Sequence, residues 1–202
     1  LKSKATAKRI GIYAGTFNPV HVGHVAFALQ AIDYAKLDQV YFMPERQPRA
    51  KPGTEHFGHR VAMLGRALQP HPRCEILELP DINFSIAKTL PTLQQKFPNS
   101  QLVFLFGSDI VPSLPTWPYV KKMMEQCELV IGLRGQDDHD TIKAQIEAWQ
   151  YQPKVLTMFP SFAASVSSST VREALLKRQP AQGLLPSVER YSNHHWLYVS
   201  LN

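Results

Sequence analysis

The sequence predicts an α/β three-layer sandwich around a doubly wound, mostly parallel sheet, and three observations predict it. Short runs rich in Val, Ile, Leu and Phe recur along the 202 residues. Helix-period segments separate them, the pattern of βα units. Most of the runs are continuously apolar rather than alternating, so their strands are expected to be covered on both faces.

Strands are expected at residues 9–14, 39–43, 74–79, 101–106, 128–133 and 154–159. Val25, Ala28, Leu29 and Ile32 recur at i, i+3, i+4 and i+7, and Phe57, Val61, Leu64 and Leu68 at i, i+4, i+7 and i+11. Each set marks one buried helical face. A third helix is expected over 86–97, with Pro91 either near its first turn or kinking it. Further helices are expected over 117–126, 141–149, 170–178 and 187–193, the last opened by Pro186. Pro44, Pro48, Pro52 and Gly53 punctuate the stretch up to Glu55, which reads as a long loop on the sheet rim and a candidate binding loop. No repeat, low-complexity tract or linker interrupts the pattern, so residues 1–202 are expected to form a single domain.

Composition excludes several classes. Apolar residues make up 44% and charged residues 19%, proportions of a packed globular chain rather than a disordered one. No run approaches the roughly 20 apolar residues that span a bilayer, and the basic lead-in of Lys2, Lys4, Lys8 and Arg9 has no apolar segment behind it. Membrane insertion and secretion are therefore not expected. Two cysteines, Cys74 and Cys127, are too few for a disulfide framework, which points to a reducing cytoplasm and buried thiols. The net charge of +6 suits phosphate-bearing ligands, but the basic residues form no stripe interleaved with aromatics, so nucleic acid is not the expected partner.

The informative stretch runs from Gly15 to His24, between the first strand and the first helix. In open α/β sheets the carboxyl end of a strand is where ligands bind. Neither GxxxxGK[ST] nor GxGxxG is present. Gly15 permits close approach of a ligand, Thr16 offers a hydroxyl, and Asn18-Pro19 turns the chain. His21 and His24 flank Gly23 at a helix start, where free N–H groups favour an anion; a phosphate clamp and a plain turn with two surface histidines both fit. Two histidines without a third ligand would leave zinc under-coordinated, so no resident metal is expected.

The second constellation is Ser167-Ser168-Ser169-Thr170-Val171-Arg172-Glu173. Thr170 and Glu173 have capping-box spacing, and capping accounts for the hydroxyls. It does not account for Arg172, a cation expected in the first turn where the helix dipole disfavours it; a bound polyphosphate would compensate.

Together, GTFNPVHVGH and SSSTVR, roughly 145 residues apart, resemble the HxGH and ISSTxxR motifs of the nucleotidylyltransferase superfamily, and in particular its nicotinate-nucleotide adenylyltransferase family. The resemblance covers nearly the whole chain: Pro44 to Lys51 is similar to the family's proline-rich loop, Arg60 to Leu64 to its following helix, Gly107-Ser108-Asp109 with Trp117 to its GxD…W segment, and Leu185 through Tyr191 to Tyr198 to its C-terminal end. It implies a Rossmann-like fold and transfer of the adenylyl group of ATP to nicotinic acid mononucleotide, with Mg2+ arriving on ATP. It further implies that His21, His24 and Arg172 are the catalytic set. Gly15, Thr16, Phe17, Lys51, Asp109, Arg134, Ser168 and Ser169 would line the ATP side, and Trp117, Ser85 and Ile86 the mononucleotide side.

The resemblance is closer on the ATP side. In the substrate loop only Thr89-Leu90 is kept; Ile86 replaces a threonine, Lys88 an acid, and Ala50 the histidine before Lys51. Nicotinamide mononucleotide or another phosphorylated acceptor such as phosphopantetheine therefore stays open, as does a nucleotide sensor without turnover. For the remaining histidines and for the acidic run Asp137-Asp138 with Asp140, solvent exposure is expected, with one carboxylate capping the next helix.

Overall fold

The computed structural model describes residues 7–49, 51–81, 83–163 and 165–199. Lys2, Lys4 and Ala50, noted in the sequence, lie outside them. Six parallel strands, β1 (Arg9–Gly15), β2 (Gln39–Pro44), β3 (Cys74–Ile76), β4 (Gln101–Gly107), β5 (Glu128–Leu133) and β6 (Leu156–Pro160), form one sheet in the order β3-β2-β1-β4-β5-β6. Every neighbouring pair is parallel, so the expected sheet is present without an antiparallel member.

Side chains of the central strands alternate between two cores. Val103, Leu105 and Val130 join Tyr13 in one, packed with α1 (Val22–Tyr34), α2 (Phe57–Leu68) and α7 (Pro186–His194). Ile12, Phe104 and Ile131 join the other with α3 (Ile86–Lys96), α4 (Val120–Gln126) and α5 (His139–Glu147). Burial on both faces is why the strands lack polar alternation. At the amino edge of the sheet Arg9 and Glu128, the first residues of β1 and β5, form a two-pronged ion pair at 2.5 and 3.0 Å.

Several boundaries differ from expectation. β3 ends at Ile76 rather than residue 79, although Leu77 and Leu79 remain buried. Trp117 is not helical: a short 3-10 turn ends before it, Tyr119 adopts φ 66°, and α4 starts at Val120. α5 begins two residues early because Asp138 accepts from the Thr141 N–H at 2.8 Å. Helix α6 (Ser168–Leu176) is capped by Ser167, with Thr170 rather than Glu173 closing the box. Arg172 is then its fifth residue, in the second turn, so the expected conflict with the first-turn dipole does not arise. Pro91 is accommodated within α3.

Candidate active site

The strand order reverses between β1 and β4, and open sheets bind ligands at such a switch point. A cleft of about 900 Å3 opens there. One side carries Gly15, Thr16, Phe17, His21 and His24 from the β1–α1 connection, with Lys51 above them and Ser168, Ser169 and Arg172 from α6. The other carries Asp109, Arg134 and Trp117 from the ends of β4 and β5, with Ser85 and Ile86 at the start of α3. The structure thus gathers all of the residues nominated from sequence.

The two histidines are oriented by backbone donors. His21 precedes α1 with extended backbone, and its Nδ1 accepts from the Gly23 N–H at 3.2 Å. The His21 N–H donates in turn to Nδ1 of His24 at 3.3 Å. An accepting ring nitrogen carries no proton, so each neutral imidazole holds its proton on Nε2. The rings lie 3.8 Å apart between centroids, and His24 also packs on the edge of Phe17. Burial pushes the His21 pKa down to about 4, helped by the Arg134 charge. Burial, His21, Arg134 and Lys51 together hold His24 well below its ordinary value. At neutral pH the site therefore presents two uncharged N–H donors.

This has a consequence for acid stability. Because the folded His21 titrates near 4 and an unfolded imidazole near its ordinary 6.5, the unfolded chain binds the extra proton first as pH falls. The histidine contribution to stability is complete above about pH 6.5 and is lost towards pH 4. Urea unfolding between pH 7.5 and 4.5 is expected to show a shallower pH slope for His21→Asn than for the native chain; identical slopes would contradict the assignment.

Contacts along this side of the cleft tie the two motifs together. Arg172 donates through Nη1 to the Asn18 carbonyl at 2.7 Å and through Nη2 to Ser169 Oγ at 3.3 Å. Ser168 Oγ donates to the Pro19 carbonyl at 2.9 Å. Lys51 Nζ donates to Thr16 Oγ1 at 2.8 Å. The result is a ring of cations and N–H or O–H donors, suited to a chain of phosphates.

Sequence reasoning missed the residue that holds this ring in place. Arg60, only 1% exposed, donates to four carbonyls: Thr16 and Glu45 at 2.7 Å, Glu55 at 2.9 Å and Arg46 at 3.0 Å. It fastens the β1–α1 loop to both ends of the proline-rich loop. A charged residue inside an amphipathic helix gave no signal of this, because its partners are backbone atoms up to 44 residues away. Gly15 also has a packing reason to lack a side chain: a Cβ there would meet the Phe17 ring at 2.9 Å.

At the opposite wall Arg134 pairs with Asp109 at 3.4 Å. Asp109 does not cap a helix. Both side chains lie over Gly107, where a Cβ would approach Arg134 Nε within 2.9 Å and the Asp109 carboxylate more closely still. The acidic run proves divided in role: Asp138 caps α5, whereas Asp137 accepts from the Arg134 N–H at 2.7 Å and from the buried Ser108 hydroxyl. Trp117 meets Phe106 edge-on at 5.9 Å and Phe84 at 6.0 Å, giving this end of the cleft an aromatic wall. Arg49, another residue not nominated, lines the cleft and donates to Asn83 Oδ1 at 3.0 Å. Lys88 is exposed and does not line the cleft; of the two departures in α3, only Ile86 does.

The pattern HxGH occurs a second time, His56-Phe57-Gly58-His59, at the start of α2. His56 Nδ1 accepts from Gly58 N–H at 3.2 Å just as His21 does from Gly23, but His59 pairs with the Tyr191 hydroxyl at 2.9 Å and neither histidine lines the cleft. The short pattern builds a capped helix start; only the copy on the β1–α1 connection, beside the switch point, lines the cleft.

Among the described residues no cluster of three or more His, Cys, Asp or Glu is arranged to hold a metal ion. The carboxylates lining the cleft are Glu45 and Asp109; the first accepts from the Phe84 N–H at 3.1 Å and the second pairs with Arg134. No helix of the described residues is long and apolar enough to cross a membrane.

A parallel sheet with a ring of cations and N–H or O–H donors at its switch point fits a nucleotide-handling α/β protein, and comparison with known proteins agrees. The cytidylyltransferase-like family model matches residues 12–174. Nicotinate-nucleotide adenylyltransferase of Bacillus subtilis (strain 168) is 32% identical over 96% of this chain and 100% of its own length. A probable nicotinate-nucleotide adenylyltransferase of Gloeobacter violaceus is also 32% identical, over 95% of this chain and 96% of its own. The chain belongs to the cytidylyltransferase-like family and, within it, to the nicotinate-nucleotide adenylyltransferases. The fold matches that of Plasmodium falciparum nicotinic acid mononucleotide adenylyltransferase complexed with NaAD, with a TM-score of 0.76 at 22% identity over 95% of this chain and 97% of that one.

Proposed function

We propose that this protein transfers the adenylyl group of ATP to nicotinic acid mononucleotide, releasing pyrophosphate and forming deamido-NAD for NAD synthesis. The observation that carries this reading is the bridging of two distant motifs around one cleft, through the Arg172–Asn18 and Ser168–Pro19 hydrogen bonds. Family membership supports it.

In the reaction an oxygen of the mononucleotide phosphate attacks the α-phosphorus of ATP, and the bond to the β-bridging oxygen breaks. No protein nucleophile is required, because phosphoryl-group transfer is accelerated mainly by alignment and by stabilising the charge that develops. His21 and His24 donate Nε2–H bonds to the phosphate oxygens, neutral in the free enzyme and available without displacing a counter-ion. Arg172, Ser168 and Ser169 hold the β- and γ-phosphates that depart together. Lys51 leaves Thr16 to neutralise phosphate charge from the facing loop. Asp109 and Arg134 border the adenosine, and Trp117 stacks on the pyridine ring beside Ser85 and Ile86.

Mg2+ belongs to this reading as part of the substrate, bound to ATP; the donors of the cleft suit phosphate oxygens rather than a bare divalent ion. We place the enzyme in the cytoplasm, a reading supported by the two buried free thiols Cys74 and Cys127.

The altered substrate loop makes the acceptor the point to test. Discrimination of acid from amide rests on hydrogen bonds built into the site. Comparing kcat/KM for nicotinic acid mononucleotide, nicotinamide mononucleotide and phosphopantetheine is expected to favour the first at least tenfold. Equal or reversed preference would overturn the acceptor and leave adenylyl transfer standing; no pyrophosphate release with any of the three would overturn both.

A further inference from the structure

The chain beyond α7 does something unusual. Trp196 and Tyr198, both bulky, adopt positive φ of 54° and 58°, a left-handed conformation that such residues rarely take unless their surroundings hold them there. The alternation sends Trp196 outward, 79% exposed, and buries Leu197 and Tyr198 in the core shared by α1 and α2. Tyr198, 6% exposed, then reaches across 180 residues of sequence: its hydroxyl donates to Asn18 Oδ1 at 2.7 Å. Its own N–H donates to Glu55 Oε1 at 3.4 Å, and the Glu55 N–H donates to the same Asn18 oxygen at 3.3 Å.

Asn18 is thereby fixed at its side chain by two donors, one from the C-terminal segment and one from the end of the proline-rich loop. Its backbone carbonyl is the oxygen to which Arg172 donates. We propose that Tyr198 is a positioning residue: its buried hydroxyl fixes Asn18, and the Asn18 carbonyl aims the Arg172 guanidinium at the departing pyrophosphate. The inference rests on the proposed function and adds to it a residue that contacts no substrate. Burial raises the phenol pKa far above its ordinary value, so the hydroxyl stays a donor across the working pH range. Tyr198→Phe removes only that donor; the ring remains to fill the core, and Asn18 keeps one of its two side-chain partners.

The test is pyrophosphate binding by calorimetry to the native protein, Tyr198→Phe, Arg172→Ala and the double variant, with mononucleotide binding and thermal unfolding measured alongside. Tyr198→Phe is expected to weaken pyrophosphate about tenfold, the order expected when one charge-assisted contact is lost, and to leave mononucleotide affinity unchanged within twofold. In the Arg172→Ala background it is expected to have no further effect, because the residue through which it acts is gone. Undiminished pyrophosphate affinity in Tyr198→Phe would overturn the proposal. So would an equal loss in the presence and absence of Arg172, or a loss shared by both ligands and tracking a lower melting temperature, which would make Tyr198 merely structural. Should the native protein fail to form the dinucleotide, the proposed function would fall instead, and the control assay of native turnover separates that case.

Discussion

Replacing His24 by Ala is expected to lower kcat by two to three orders of magnitude. That is the cost seen when one preorganised donor to developing charge is removed from a water-poor site. The geometry makes the effect separable from folding. Nδ1 of His24 accepts from the His21 N–H at 3.3 Å, so the alanine variant also loses part of a helix cap, worth about 1 kcal/mol. Asparagine at the same position restores an acceptor near that N–H but cannot extend a second donor to the phosphates. His24→Asn should therefore recover most of the lost stability and almost none of the lost turnover. Steady-state kinetics with thermal unfolding of both variants checks this; a turnover within fivefold of native in either would show that His24 serves only the cap.

The second large effect is on stability. Arg60→Ala is expected to cost about 3–5 kcal/mol, because several buried carbonyls lose their donor at about 1–3 kcal/mol each and the packing of the side chain goes with it. For a chain of this size that corresponds to a fall in melting temperature of roughly 10 °C. Four carbonyls, those of Thr16, Glu45, Arg46 and Glu55, lose their charged donor at once. Loss of the desolvation cost of the guanidinium offsets part of this, which is why the sum of four bonds is not reached. The remaining protein should show a raised KM for ATP, since Thr16 and the loop carrying Lys51 are no longer fastened. Arg60→Lys, a point charge that cannot span four acceptors, should recover less than half of the stability. A melting temperature within 2 °C of native for Arg60→Ala would contradict the account.

The sheet and the two motifs were legible in sequence for a common reason: each depends on contiguous residues. Strands such as β4 and β5 are apolar on both faces and read as continuous runs; α1 and α2 announce themselves by period. Helix starts were less legible because a cap is chosen among neighbouring candidates. Ser167 won over Thr170 and Asp138 over Asp140, and each moved its helix by two residues. Trp117 falls inside the helix expected over 117–126 because Val120 and Met124 lie at helical spacing from it, yet Tyr119 turns the chain between Trp117 and α4. What the sequence did not reveal is the long-range scaffold of the site. Arg60, Asn18, Glu55 and Tyr198 act through backbone carbonyls or through partners distant in the chain, and such contacts leave no spacing to recognise. Nor does the HxGH pattern suffice by itself, as the copy at residues 56–59 shows; both copies follow an interior strand, and only the one on the connection at the switch point faces the cleft.

The central claim is direct adenylyl transfer between bound substrates, held by donors and cations and without a covalent enzyme intermediate. The most direct test is single-turnover reaction of the native protein with nicotinic acid mononucleotide and ATP labelled at either the α- or the γ-phosphorus. The account predicts that all transferred α-label enters deamido-NAD, that γ-label leaves as pyrophosphate in equal amount, and that none stays on protein after denaturation. Label retained covalently on the chain, or γ-label released as orthophosphate, would contradict it.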